Sequence, residues 1–185
     1  YKKHFHMSKT FREILKEKHS KANAVTIKNA VIADPSRIHE LMDCFFSEEM
    51  RVCQYASWPV GMLGEDHGEL LVPYLDKMIA GLDNPKHDAV VRNTLRTWQF
   101  MDLPEEYEGP IYDVCFSYLQ DMKSPIAFKV FGMTVLTNLA IKYLDLIEEL
   151  IPAIEDQFPH GSRGFQSRAK NELKRLHKTI NSANA

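Results

Sequence analysis

Cysteine is scarce in this 185-residue chain: Cys44, Cys53 and Cys115 are an odd number without clustering. That excludes a disulfide framework and a Cys-x-x-Cys metal or redox motif, and it reads as reduced thiols in a cytoplasmic protein. Two of the three stand among apolar helix residues, where free cysteine behaves as a small hydrophobe. Long apolar runs are lacking too. None approaches the roughly 18–20 residues that span a bilayer, so no membrane is expected as a partner. The amino terminus is polar and basic, without a secretory apolar segment. H-E-x-x-H and an EF-hand loop are absent. Asp66-His67-Gly68-Glu69 and His87-Asp88 hold ligand residue types, but their spacing does not converge three groups on one ion. No metal, no cofactor and no catalytic residue is assigned, and no strand signal is present.

What is there is an ordinary balance of residue types with an uneven placement of charge. Hydrophobic residues make up 44% and charged ones 26%, values normal for one globular domain. The net charge of −2 conceals a division. Residues 1–28 carry eight Lys or Arg against Glu13 and Glu17, and residues 160–185 carry six against Glu172 alone. The middle of the chain holds nine basic residues and 22 acidic ones. A general nucleic-acid binder is normally strongly basic, so this balance disfavours one while leaving room for a local basic face.

Apolar spacing then gives helices throughout. Residues 1–6 are expected to be a vector-derived or disordered leader, because His6-Met7 is what a common cloning junction leaves. Residues 7–180 read as one domain and 181–185 as a frayed tail. Thr10 and Glu13 form a capping-box pattern, and Asp34-Pro35 is a helix start. A short helix is expected over 26–33. Pro59 is expected to kink or end its helix, with residues 64–68 a loop, and residues 102–109 are expected to be an acidic loop before a helix opened by Pro110. Apolar spacing from Tyr143 places Pro152 inside a helix, where a kink or break is expected. Leu75, Ile79, Val91, Leu95, Trp98, Phe131 and Leu139 are the expected core.

The chain also repeats. Glu69-Leu70-Leu71-Val72-Pro73 returns 79 residues later as Glu148-Glu149-Leu150-Ile151-Pro152, and the turn Asp83-Asn84-Pro85 returns 40 residues on as Lys123-Ser124-Pro125. A period of about 40 with two helices per unit is the mark of a helical array. The best unit carries Pro73, Pro85, Asp88, Val91 and Arg92; Pro125 and Lys129 mark the next, and Pro152, Ser162, Arg163 and Arg168 the last. On those residues the chain, from Asp34 to Lys178, resembles the HEAT repeat family. The resemblance implies an all-α, right-handed α-α superhelix of about four helix pairs plus N-terminal helices. It also implies that the second helix of each pair lines a concave surface.

Three constellations are candidates for function. Arg51, Arg92, Arg96, Lys129 and Arg168 fall on second helices, whereas acids such as Glu40, Asp76 and Glu148 fall on first helices. A concave basic stripe suits an acidic peptide or a phosphate backbone; the alternative is that Arg92 and Asp88, four apart, support their own helix. His160-Gly161-Ser162-Arg163-Gly164 is not G-x-S-x-G. It offers either an anion site at Ser162 and Arg163 or merely the N-cap of the last helix. Trp98 and Asp102 resemble the aromatic–acid pair of HEAT-fold alkylpurine DNA glycosylases, but they stand at the end of their helix rather than near its start. The expected function is a non-catalytic solenoid scaffold that presents its concave face to a protein partner. A DNA-binding protein related to those glycosylases is the alternative.

Overall fold

The structure, a computed structural model, describes residues 9–183; the leader at residues 1–6 lies outside them. Ten α-helices and no strand occur among the described residues. They come as five successive pairs: α1 (Phe11–Glu17) with α2 (Lys21–Ala33), α3 (Ile38–Phe45) with α4 (Met50–Asp66), and α5 (Leu75–Ala80) with α6 (Asp88–Trp98). Then follow α7 (Glu105–Gln120) with α8 (Ile126–Lys142), and α9 (Ile147–Gln157) with α10 (Arg163–Ala183). The second helices pack in sequence, α2 on α4, α4 on α6, α6 on α8 and α8 on α10. The first helices form the other layer, with α1 on α3 and α5, α7 and α9 in a row. One core runs between the layers from Phe11 to Leu176. The fold is the all-helical solenoid that the repeat implies.

Local chemistry explains several helix starts. Thr10 accepts from the Glu13 N–H while the Glu13 carboxylate accepts from the Thr10 N–H, closing the capping box of α1. Asp34 accepts from the Ser36 N–H at 3.1 Å and opens the 3-10 turn Pro35–Arg37. Two starts differ from expectation. Ser20 caps α2 through the Asn23 N–H, so that helix begins five residues before Thr26. The expected acidic loop is helix from Glu105 onward, with residues 102–104 left outside it: Glu105, Glu106 and Glu108 occupy the first turn of α7, where negative charge meets the positive end of the helix dipole.

The prolines are also milder than expected. Pro59 and Pro110 lie inside α4 and α7, and α4 runs on to Asp66, so residues 64–66 are helix and not loop. Pro152 does not break α9. The break falls upstream, where a 3-10 turn at Leu144–Leu146 separates α8 from α9. Each interior proline forfeits one backbone hydrogen bond, and burial of the flanking residues outweighs that loss. Pro73 sits in a 3-10 segment, Gly68–Tyr74, that leads into α5. At the other end α10 is helical to Ala183, through the first part of the expected frayed tail.

Helices α4 and α6 approach each other closely. A Cβ on Gly64 would lie 2.8 Å from the Thr97 Cα, and one on Gly61 would lie 2.8 Å from the Asn93 Oδ1. Only hydrogen fits there. Buried polar groups of this seam are hydrogen-bonded: Thr97 donates to the Asn93 carbonyl at 2.7 Å, and the Asn93 amide donates to the Ala89 carbonyl at 2.8 Å and, across the seam, to the Ser57 hydroxyl at 3.3 Å.

Candidate functional site

The tight α4–α6 seam sets two helix faces side by side. On α4, Arg51, Gln54, Tyr55 and Trp58 recur at helical spacing and share one side. On α6, Ala89, Arg92, Asn93 and Arg96 do the same. Together with His19 from the turn before α2 and Phe131 from α8, these faces enclose an open groove of about 340 Å³ on the second-helix layer. Its aromatic wall is ordered by stacking. The His19 ring lies parallel to Tyr55 at 4.3 Å and meets Trp58 edge-on at 5.2 Å. Phe131, expected in the core, is half-buried and lines this groove instead. Ile79 is also only half-buried, whereas Leu75, Val91, Leu95, Trp98 and Leu139 are core residues.

The five basic candidates separate into four situations. Arg92 is exposed in the groove wall, and among the described residues it forms no ion pair or hydrogen bond, not even with Asp88. Arg96 also lines the groove but pairs with Glu65. Arg51 does not line the groove; its Nε donates to the Tyr55 hydroxyl at 3.2 Å.

Lys129 and Arg168 are structural. Lys129 is 5% exposed, its ammonium donating to the Gln157 Oε1 at 2.6 Å and tying α8 to α9. Burial holds its pKa below the ordinary lysine value, against a smaller opposing pull from Asp121. Arg168 donates to Thr134 at 2.5 Å and to the Gln99 Oε1 at 3.2 Å. The centre of that network is Glu172, a buried carboxylate that accepts from Thr134 at 2.8 Å and from Arg175 at 2.6 Å. Sequence reasoning passed over Glu172; as the sole acid among the basic residues of α10, it was the available signal.

Ser162 is occupied by the helix. Its hydroxyl accepts from the Phe165 N–H at 3.3 Å and its carbonyl from the Gln166 N–H at 2.9 Å, which is the N-cap arrangement. Arg163 beside it is exposed. Gly161 leaves room for the Phe165 ring. Trp98 is 1% exposed, within the core, so it offers no face on which a base could stack, and Asp102 lies past the end of α6.

A second cleft opens between α7 and α8, around Glu108, Tyr112 and Tyr143. Glu108 is buried and accepts from Lys142 at 2.8 Å and from the Tyr143 hydroxyl at 2.6 Å. Burial alone would raise its pKa, but the Lys142 and Tyr143 hydrogen bonds outweigh that and leave it below the ordinary carboxylate value. All three cysteines are buried and free. Burial pushes the Cys44 thiol up to about 11, which keeps it protonated and unreactive. Among the described residues no group of three or more His, Cys, Asp or Glu could hold a metal ion, and no helix is long and apolar enough to cross a membrane.

Comparison with known proteins agrees with this architecture. No curated protein and no solved structure matches the chain significantly. The family model of the HEAT repeat domain matches residues 11–176, from the first residue of α1 to the last core residue of α10. Paired helices in two layers and a match across nearly the whole chain lead to one conclusion: the protein belongs to the HEAT repeat domain family.

Proposed function

We propose that this chain is a non-catalytic binding module, a solenoid that presents its second-helix face to a partner protein. The observation that carries this reading is the division of charge between the two layers. Helices α2, α4, α6, α8 and α10 hold 13 Lys or Arg and only four acids, Glu65, Asp66, Asp88 and Glu172. Helices α1, α3, α5, α7 and α9 hold three basic residues and 13 acidic ones. Repeat arrays expose such a layer as one extended surface, and a surface of one sign selects partners of the other.

A protein suits this face better than a nucleic acid does. Several of its cations are engaged within the fold, and Glu65 and Asp66 interrupt the stripe. A phosphate backbone needs an unbroken run of free cations. The test is position-specific crosslinking in an extract of the source cells, with a photoreactive residue at Gln54 on the second-helix face or at Asp113 on α7. Protein crosslinks from Gln54 but not from Asp113 are expected. Equal labelling from both positions would refute the reading. Duplex DNA bound at micromolar or tighter affinity in about 50 mM salt, with release of a methylated purine, would replace it by the glycosylase alternative.

A further inference from the structure

We infer that the groove between α4, α6 and α8 is an anchor site for an extended acidic peptide, with one carboxylate held by Arg92 and a neighbouring apolar side chain set between Trp58 and Phe131. The inference rests on the reading of this chain as a protein-binding module and names what the module would take.

The neighbouring cations single out Arg92. Arg96 is held by Glu65, Arg51 by the Tyr55 hydroxyl, Lys86 by Glu48 at 2.6 Å and Lys28 by Asp66 at 2.7 Å. Arg92 alone of these five has no such partner among the described residues, and it stands in the wall of a concavity. A guanidinium presents a planar fork of donors that matches a carboxylate bidentately.

Next to it the groove turns apolar. Trp58, Ala89 and Phe131 contribute its hydrophobic lining, and Trp58 meets edge-on the His19 ring, which stacks on Tyr55 in turn. A wall ordered in advance loses little entropy when a ligand arrives. Gln54 adds a polar element. Its side-chain amide makes no hydrogen bond among the described residues, and an amide has both a donor and an acceptor to offer an extended backbone. The volume, about 340 Å³, lies at the small end of the range for ligand pockets. That suits two adjacent side chains.

The same surroundings favour a peptide carboxylate over a run of phosphates. Glu65 stands beside Arg96, and Asp88 begins the helix that carries Arg92. A polyanion crossing the groove would meet both. One acidic residue followed by an apolar one would meet neither.

The test uses the whole chain and a short fluorescein-labelled peptide with one Glu-Leu pair set in a Gly-Ser background, followed by anisotropy at low salt and by the emission of Trp58. Binding with a shift in Trp58 emission is expected, and Trp58→Phe should abolish the shift. Arg92→Glu should weaken binding at least about tenfold, the loss of one close ion contact worth ~1.4 kcal/mol, while Arg92→Lys retains part of the affinity. Thermal melting of both Arg92 variants checks that the fold is intact. Equal affinity of Arg92→Glu and the unaltered chain would overturn the inference, as would equal binding of a Lys-Leu peptide or tighter binding of single-stranded oligothymidylate. Failure of the peptide alongside Gln54-specific protein crosslinks would sink this inference and leave the binding-module reading standing. Failure of both would sink both.

Discussion

Two arginines at corresponding places on second helices do different work, and stability measurements should separate them. Arg168 bonds to the half-buried Thr134 and Gln99 and lies near the buried Glu172, so Arg168→Ala removes two hydrogen bonds and a cation beside that carboxylate. A loss of about 1–3 kcal/mol in urea unfolding is expected. Arg92→Ala removes an exposed side chain that has no partner among the described residues and should change stability by less than about 0.5 kcal/mol. Glu108 supplies a pH test. Its folded-state pKa is depressed, so its contribution is complete above the unfolded carboxylate value and is lost as pH falls through the folded one. Melting temperatures of the unaltered chain and Glu108→Gln should therefore differ most near neutral pH and converge in acid. A constant difference across that range would show that the Lys142 and Tyr143 contacts do not favour the ionised form. Neither Lys129's burial nor Phe131's turn toward the groove was legible in the sequence. Helix α8 is apolar on nearly every side, so its periodicity does not say which residues face the core. The exposed basic edge of the groove was legible, because arginine on the polar side of the amphipathic helix α6 has nowhere else to go.

Among the elements, the α4–α6 seam decides where the groove sits, and glycine decides the seam. Gly64→Ala puts a methyl group against the backbone of Thr97. It should destabilise by about 1–3 kcal/mol through overpacking, although alanine is the better helix former. Gly132 is the control, since a Cβ there meets only ordinary van der Waals contacts, the nearest at 3.5 Å from the Cys115 carbonyl, and the residue lies inside α8. Gly132→Ala should stabilise by about 0.4–1 kcal/mol. If both substitutions moved the melting temperature the same way, the close approach would not be limiting. Helix existence and pairing were readable from caps, apolar spacing and the returning Pro-containing figures. Helix limits were less so, for a physical reason. A proline's cost is fixed by chemistry, but whether the helix survives depends on what its neighbours bury, and α4, α7 and α9 bury enough.

For the whole molecule, each helix pair touches mainly its neighbours, while one apolar core joins them all. The middle helices α4, α6 and α8 are covered on both sides along the array and should hold the slowest-exchanging amides, with α1 and the last turns of α10 the fastest. Hydrogen exchange followed by mass spectrometry reads this directly, and uniform protection from α1 to α10 would contradict it. The separation of charge between the layers has a further consequence for encounter. With a net charge of only −2, the molecule exerts little force on a distant ion, yet its two faces are opposite in sign. It is a transverse dipole, and an approaching acidic body applies a torque before it applies a pull. The solenoid is turned face-first within the last ~8 Å of approach, the screening distance at physiological salt. For the acidic partner proposed above, the benefit lies in the fraction of collisions that are already aligned, so salt should slow association and leave the lifetime of that complex almost unchanged.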